Sequence, residues 1–334
     1  MSQPKVSILV AVYNAEKYLH QCLDSIINQS LADIEAICID DCSTDSSRSI
    51  LEEYSQKDSR IKTIFLNENV GQAAARNKGL DIAEGEYIAM LDSDDWFAED
   101  ALQLAVDTIE GNDADCAMFD LILCREGQEE PFKNQTDKSI LTGEEAFRLS
   151  LNWQIHGLYI VKADIHKNYL FDTSCRLYSD DNTTRIHYLH SRKVALSKGK
   201  YFYRKHAESM TESCNIHRFD YVKANLSMKQ QLLEEIRLGN INHSEDILNL
   251  YETHRWLNFV DTYYYLNKNR DSFSKEEAKQ IEASLADILQ TFEPKRIDTK
   301  TSHKFGYCPT LNYNTFKIQE EAYFLLRGMI GKNK

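Results

Sequence analysis

Strand-like and helix-like patterns alternate over the first ninety residues, and this constrains the fold more than any other feature of the sequence. Val6–Val12 is an almost continuous apolar run, which is typical of a parallel strand covered on both faces. Similar runs occur at Ile34–Ile39, Ile61–Leu66 and Tyr87–Leu91, and helical spacing of apolar residues fills the stretches between them. The β-α-β-α-β-α-β order predicts an α/β fold with an open, doubly wound, mostly parallel sheet flanked by helices.

The pattern changes in the second half of the chain. Ala117–Cys124 is apolar and extends the predicted sheet, whereas Leu141–Leu151 has the pattern of a helix. From about Phe219 the sequence becomes mainly helical. The predicted helical tracts are 219–238, 244–267 and 274–291, with another near the C-terminus. We therefore predict an α/β domain over residues 1–215 and a helical region over 216–334.

Composition narrows the class of protein. Lysine and arginine number 39 against 52 acidic residues, so the formal net charge is −13 and a nucleic-acid partner is disfavoured. The eight cysteines form no CxxC pair, which favours a reduced environment. The chain has neither a signal-peptide pattern nor an apolar run of 18 residues. We expect a cytoplasmic protein. A location at the inner face of the membrane is the alternative.

Two aromatic segments could pack in the core or could contact a partner. The run Tyr323–Ile330, followed by Lys332 and Lys334, fits a packed terminal helix better than a peripheral contact with an anionic membrane. Tyr263–Tyr265 fits an aromatic core or a homo-oligomer interface better than a ligand site.

An acidic turn follows the fourth predicted strand. It places Asp92, Asp94 and Asp95 within four residues, where like charges raise one another's pKa or require a counter-ion. Mg²⁺ or Mn²⁺ with oxygen ligands meets that requirement. The alternative is a solvated turn that caps the next helix. The position of the acidic turn at the carboxyl end of a strand favours the metal site.

Two more polar groups are predicted at the same edge of the sheet. Asp41 follows the second strand and can accept the imide N–H of a uracil. The alternative is that this turn caps the next helix, but Ser43 or Asp45 alone could do so, which leaves Asp41 without a structural task. Arg76, in a helix that begins with small residues, supplies local positive charge for a diphosphate. No GxGxxG motif follows the first strand and no P-loop is present, so a dinucleotide-binding fold is disfavoured.

Four segments in order resemble the family 2 glycosyltransferases of the GT-A fold, a Rossmann-like architecture. The segments are Val6–Asn14, Asp40–Asp45, Asn69–Gly79 and Leu91–Asp95. The resemblance covers about residues 4–125 and continues more weakly to about residue 211. It implies a nucleotide diphosphate sugar as donor, with UDP the favoured nucleotide, and inversion at the anomeric carbon.

The resemblance also implies roles for individual residues. Ala11 and Tyr13 would line the base pocket, and Asp41 would hold the base edge. Asp92 would face the ribose or the donor sugar, and Asp94 would bind the Mn²⁺ or Mg²⁺ that bridges the diphosphate.

The family's general base is a carboxylate in a later acidic pair. Asp180 and Asp181 match that pair, although the first acid is Asp where the family often has Glu, and Asp181 is assigned as the base. The segment Tyr201–Thr211 resembles another family motif. It makes Arg204 and Ser209, together with His206, candidates for the diphosphate side of a closing loop.

Acceptor recognition is the least constrained part of the sequence. Trp153 and His156 precede the acidic pair and could form a platform for a sugar ring, whereas Tyr159 fits core packing better. We expect a glycan or a lipid-linked glycan as acceptor, and a role in making cell-surface polysaccharide. The alternatives are a nucleotidyltransferase of similar fold and a scaffold that binds nucleotide sugars without turnover.

Overall fold

A computed structural model describes residues 3–206, 216–302 and 307–329. The chain divides into two compact units, Met1–Ser213 and Cys214–Lys334. The first unit holds the sheet, and the second is helical in its described part. Each unit has a hydrophobic core of its own.

Within the described residues, the first unit contains one ten-stranded sheet. Its strands are β1 (Val6–Val12), β2 (Ile34–Asp40), β3 (Ile61–Phe65), β4 (Tyr87–Met90), β5 (Trp96–Phe97), β6 (Cys116–Arg125), β7 (Gln128–Pro131), β8 (Ile140–Thr142), β9 (Tyr159–Lys162) and β10 (Lys193–Lys205). The strand order is β3-β2-β1-β4-β9-β6-β10-β5, with β7 beside β6 and β8 beside β10. The β1–β4 and β6–β10 pairs are parallel, whereas β9 is antiparallel to both of its neighbours.

The helices of this unit pack against the sheet or against one another. They are α1 (Leu19–Ile27), α2 (Ser47–Lys57), α3 (Gln72–Leu80), α4 (Ala101–Asn112), α5 (Gly143–Ser150), α6 (Ala163–Asn168) and α7 (Ser179–His190). Alternate residues of β1 enter two separate apolar cores, with Ile8 in one and Leu9 in the other. Both residues are fully buried, which explains the continuous apolar run.

The strand order identifies the edge of the sheet at which a ligand is expected to bind. β1 lies between β2 and β4, and all three strands run in the same direction. Because the order reverses at β1, the carboxyl ends of these strands open onto the crevice where open α/β sheets bind ligands. The residues that follow the three strands are therefore the first candidates for a site.

The second unit, in its described part, is built from α8 (Asp220–Arg237), α9 (Ser244–Lys268), α10 (Lys275–Leu289) and α11 (Tyr313–Met329). Trp256, Phe259 and Phe316 are fully buried and pack on one another in its core. A buried ion pair lies in the same unit, where Arg255 Nη1 donates to Glu252 over 2.8 Å. Within the described ranges, every helix is too short or too polar to cross a bilayer.

The predicted α/β architecture with a helical C-terminal region is confirmed. One detail differs from the prediction. The sheet is less uniformly parallel than predicted, because β9 enters it as an antiparallel strand between β4 and β6.

Candidate active site

Three carboxylates lie together in the turn that follows β4. Oxygen atoms of Asp92, Asp94 and Asp95 lie within 4.8 Å of one another. Burial, followed by the negative charge of Asp92, raises the pKa of both Asp94 and Asp95. Such a group of hard oxygen donors fits Mg²⁺ or Mn²⁺, whose positive charge would relieve the repulsion.

Asp95 anchors the turn and is closed to a ligand. It is fully buried, and its two oxygens accept from the Tyr201 hydroxyl over 2.8 Å and the Arg204 N–H over 2.7 Å. The Tyr201 hydroxyl also lies 3.1 Å from the Asp92 nitrogen. Strand β10 therefore fixes the turn, and leaves Asp92 and Asp94 as the partly exposed carboxylates.

Asp94 is held by the end of β10. Its Oδ2 atom lies 2.9 Å from His206 Nε2, and its backbone oxygen accepts from Arg204 Nε over 2.9 Å. The Arg204 guanidinium lies between the rings of Tyr18 and Trp96, 4.9 and 4.6 Å from their centres. Arg204, predicted on the diphosphate side, thus holds the acidic turn in this structure. Ser209 lies outside the described residues.

Asp92 is fixed by α3. Its Oδ1 atom accepts from Gln72 Nε2 over 2.9 Å and forms an ion pair with Arg76. Arg76 is only 3% exposed, and its guanidinium lies over the ring of Phe171. This placement differs from the direct diphosphate contact predicted for Arg76. The physical reason is that a buried guanidinium needs a partner of opposite charge, and Asp92 provides it.

Asp41 holds the loop that precedes α3. Its carboxylate accepts from the N–H groups of Val70 and Gly71 over 2.7 and 2.8 Å, and from the Asn69 amide over 2.9 Å. The sequence left Asp41 without a structural task, and the structure corrects that argument. The predicted contact with a base edge must therefore use the acceptor capacity that these bonds leave.

The predicted base pocket lies beside Asp41. The Asp41 N–H donates to the Val12 carbonyl over 2.8 Å, which joins the ends of β1 and β2. Ala11 is buried in β1 opposite Ile39, whereas half of Tyr13 is exposed at the rim. Of the two predicted base-pocket residues, only Tyr13 presents a large open surface.

The second acidic pair lies in the first turn of α7. Asp181 is 16% exposed at its side chain, and its Oδ2 atom is 3.6 Å from Nη2 of the buried Arg185. Burial raises the pKa of Asp181 to about 7, Arg185 opposes this rise, and the charge of Asp180 adds to it. A carboxylate poised near neutral pH is suited to general base catalysis.

Asp180 faces the acidic turn. Its side chain is exposed, yet the surrounding protein removes enough hydration to raise its pKa. Arg76 lowers that pKa and Asp92 raises it further, so both charges act on this carboxyl group. A second link joins the segment before α7 to the loop before α3, because Arg176 donates to the Asn69 amide oxygen.

These contacts bring the separate acidic groups together. Asp41 holds the beginning of α3, residues of α3 hold Asp92, and Arg76 connects Asp92 electrostatically with Asp180. The three sets predicted from the sequence therefore lie along one edge of the sheet.

Trp153 and His156 have different surroundings. Trp153 is 50% exposed, and its backbone has a φ of 53°, in the left-handed region. His156 is 1% exposed and packs edge-on against Phe132, so it cannot serve as an open platform for a sugar ring. The prediction failed to allow for the fold of 132–158, which covers this ring. Tyr159 is buried in the core, as expected.

Sequence reasoning missed three residues that support the site. Tyr201 holds Asp95, Gln72 holds Asp92, and Arg185 lies beside Asp181. Only Arg185 had a clear signal, because it follows Asp181 by four residues on one helix face.

Comparison with known proteins identifies the family. The model of glycosyl transferase family 2 matches residues 7–179. The putative glycosyltransferase EpsH of Bacillus subtilis is 45% identical over 124 residues, which are 37% of this chain and 34% of that protein. The putative teichuronic acid biosynthesis glycosyltransferase TuaG of the same organism is 46% identical over 101 residues, which are 30% of this chain and 40% of that protein. The match thus spans less than half of either relative.

Solved structures show the same fold. The S. aureus TarS fragment 1-349 in complex with UDP-GlcNAc has a TM-score of 0.76 and 21% identity, covering 96% of this chain and 92% of that one. The mannosyltransferase PcManGT from Pyrobaculum calidifontis, in complex with GDP-Man and Mn²⁺, has a TM-score of 0.51 and 17% identity, covering 99% and 88%. Because the family model covers more than half of the chain, the protein belongs to glycosyl transferase family 2.

Proposed function

We propose that this protein is an inverting, metal-dependent glycosyltransferase that moves a sugar from a UDP-sugar to an acceptor hydroxyl. The observation that carries the proposal is the meeting of two acidic groups: Asp92 and Asp94 in one turn, and Asp180 and Asp181 at the start of α7. The first group is suited to binding a cation, and the second can supply a carboxylate that accepts a proton. Family membership supports the same reaction class.

The donor site is proposed at the ends of β1, β2 and β4. Tyr13 and Ala11 would contact the base, and Asp41 would accept its imide N–H. UDP is favoured because TarS was solved with UDP-GlcNAc. Asp92, fixed by Arg76 and Gln72, would face the ribose or the donor sugar.

The cation is proposed at Asp94. A bound Mn²⁺ or Mg²⁺ would neutralise the negative charge that develops on the departing diphosphate. The donor set fits, since Asp94 has a hard carboxylate oxygen within 4.8 Å of one from Asp92, and both side chains are partly exposed. The Mn²⁺ in the PcManGT complex supports this choice.

Asp181 is proposed as the general base. Its carboxylate takes the proton of the acceptor hydroxyl while the hydroxyl oxygen forms a bond to the anomeric carbon, and the bond to the nucleotide diphosphate breaks. Attack from the opposite face inverts the configuration, so no second carboxylate acts as a nucleophile. Residues 1–215 would thus hold the catalytic machinery, with residues 216–334 as a separate helical region.

The biological setting is proposed from the relatives. TuaG is named for teichuronic acid biosynthesis, and a further relative is a poly(ribitol-phosphate) beta-glucosyltransferase of Bacillus spizizenii. We therefore propose a glycan or lipid-linked glycan acceptor and a role in cell-surface polysaccharide synthesis.

Release of UDP from a panel of UDP-sugars, with Mn²⁺, Mg²⁺ or EDTA, tests the proposal. We expect Asp181→Asn to lower turnover by about 10²- to 10⁴-fold while the dissociation constant of the donor stays unchanged. Asp107→Asn, on the exposed face of α4, is the matched control and should retain full turnover. Near-normal turnover in Asp181→Asn would refute the assignment of the base.

The same panel separates the rival functions. A nucleotidyltransferase would release pyrophosphate from UTP and a sugar 1-phosphate, and would show no transfer from UDP-sugars. A scaffold would bind a UDP-sugar without releasing UDP under any metal condition. Either result would overturn the glycosyltransferase proposal.

A further inference from the structure

The segment 170–178 leads from α6 into α7, and side chains of two other elements hold part of its backbone. The Phe171 N–H donates to Asn77 Oδ1 over 2.9 Å. The Asp172 N–H donates to Thr183 Oγ1 over 3.0 Å. Because side chains rather than a strand ladder bind these two N–H groups, a single substitution can release the segment at either point.

Asn77 attaches this segment to α3. Besides accepting from the Phe171 N–H, its amide donates from Nδ2 to the Phe171 carbonyl oxygen over 3.0 Å. The Phe171 side chain is buried, and its ring lies against the guanidinium of Arg76, 5.5 Å from the ring centre. The backbone and the ring of Phe171 therefore both lie against the helix that holds Asp92.

Asp172 attaches the same segment to the first turn of α7. Its Oδ2 atom accepts from Asn182 Nδ2 over 2.7 Å, in addition to the bond from its N–H to Thr183. Asn182 and Thr183 directly follow Asp181 in the chain, and both are buried. Two adjacent residues thus connect α3, on the donor side of the site, with the turn that carries the proposed base.

The α3 end of this link is the more firmly held. A Cβ atom at Gly79 would lie 2.7 Å from the Ile39 side chain and 3.2 Å from the Leu9 side chain, so the helix backbone lies directly on β2 and β1. Close packing of this kind leaves little room for the helix to move. Loss of the link should therefore displace the first turn of α7 and leave α3 in place.

We propose that Asn77 and Asp172 are positioning residues, which set the distance between the bound donor and the carboxylate of Asp181. The inference rests on the proposed function, in which Asp181 takes a proton from the attacking hydroxyl. Neither positioning residue contacts the donor or the acceptor in this scheme. They affect the rate because a displacement of about 1 Å at a reacting group can lower it about 10²-fold.

The test measures UDP release by the full chain from the UDP-sugar that it cleaves fastest, with octyl β-glucopyranoside as acceptor and with water alone. Asp181 would take the proton from either nucleophile, so both rates report its position. We expect Asn77→Ala and Asp172→Ala each to lower kcat by about 10- to 100-fold. The dissociation constants of UDP and of Mn²⁺ should keep their wild-type values, because α3 and the acidic turn stay in place.

Two further variants distinguish positioning from a general loss of structure. Asp172→Asn keeps a side-chain oxygen that can accept from Asn182, and it should recover most of the kcat that Asp172→Ala loses. The double variant Asn77→Ala with Asp172→Ala should have the kcat of the slower single variant, because both residues act through one segment.

Asn112→Ala is the matched control. It removes an amide that donates to the Thr108 backbone oxygen over 2.7 Å, a bond of the same kind that stays within α4. We expect it to lower the melting temperature without lowering kcat. Melting temperatures of all variants show which are folded, and if Asn77→Ala does not fold, the comparison of Asp172→Ala with Asp172→Asn decides the question.

The results that would overturn the positioning role are separate from those that would overturn the proposed function. Wild-type kcat in folded Asn77→Ala and Asp172→Ala would exclude the role. So would losses of kcat that multiply in the double variant, or a loss of UDP affinity as large as the loss of kcat. If the wild-type protein neither binds nor cleaves any UDP-sugar, the proposed function fails, whereas failure of the positioning role alone is seen only in the variants.

Discussion

The imidazole of His206 lies 2.9 Å from the carboxylate of Asp94, although the two residues are 112 positions apart in the chain. Arg204 holds the backbone oxygen of the same aspartate. The end of β10 is therefore attached to the acidic turn after β4. A substitution at either place should alter the position of side chains at the other.

Removing the carboxylate of Asp94 should weaken binding of the cation. We expect Asp94→Asn to weaken Mn²⁺ affinity strongly, and His206→Gln to weaken it by about 10- to 100-fold, the range for residues that orient a metal ligand. Isothermal titration of Mn²⁺ in the presence of UDP measures both effects without relying on turnover. Equal Mn²⁺ affinities in wild type and Asp94→Asn would contradict the site, and Asp107→Asn again serves as control.

Arg76 should contribute to stability through Asp92. Arg76→Met removes the buried partner of a carboxylate that is 28% exposed at its side chain, and we expect a loss of about 2 to 4 kcal/mol in the free energy of unfolding. Asp92→Asn removes the charge that needs the partner. The double variant should therefore be more stable than the sum of the single losses predicts. Urea denaturation of the four proteins completes the cycle, and simple additivity would show that the two groups do not interact.

Much of the fold could be predicted from local sequence patterns. The apolar runs located β1 to β4, and α5 lies within the predicted helical tract Leu141–Leu151, where Thr142 and Glu145 form a capping box. The tract 244–267 corresponds to α9, Ser244–Lys268. The acidic turns could be placed at one edge because the carboxyl ends of parallel strands share an edge.

Tertiary contacts decided the rest. The pairing of β9 with β4 and β6 is long-range and leaves no periodic signal in the short run Tyr159–Lys162. Arg76 has the sequence pattern of a surface helix residue, and only the fold shows that it is buried under Asp92. His156 was predicted to be open for the same reason: its burial depends on Phe132, which is distant in sequence.

The activity of the proposed base should depend on pH. The pKa of Asp181 is raised to about 7, so the carboxylate is protonated below that value and cannot accept a proton. We expect kcat/KM to fall about tenfold per pH unit below about pH 7 and to level off above it. A profile from pH 5.5 to 9 at saturating donor measures this limb. A flat profile between pH 5.5 and 7.5 would exclude Asp181 as the base.

Acid should also lower stability through buried histidines. Burial lowers the pKa of His156 and of His187 to about 4, whereas an unfolded histidine titrates near 6.5. The unfolded chain therefore binds protons first, and each ring removes about 1.4 kcal/mol of stability per pH unit between about 6.5 and 4. Urea denaturation of wild type and His187→Gln at pH 7.5 and 5.5 isolates the contribution of His187, because the raised pKa of Asp181 acts in the opposite direction in both proteins. His187→Gln should reduce the pH dependence, and an unchanged dependence would show that His187 is not buried as a neutral ring.

Gly143 should control how α5 packs against α7, the helix that carries Asp181. A Cβ atom at Gly143 would lie 2.2 Å from the carbonyl oxygens of Tyr188 and Ser191, at the end of α7. Backbone atoms cannot move aside cheaply, so Gly143→Ala should cost about 1 to 3 kcal/mol or more in stability.

Gly111→Ala is the matched control, because that Cβ atom would meet nothing within 4 Å and the residue lies in helix α4. We expect it to stabilise the protein by about 0.4 to 1 kcal/mol, since alanine restricts the unfolded chain. Urea denaturation compares the two variants. Equal stabilities would contradict the close approach of Gly143 to the carbonyl oxygens at the end of α7.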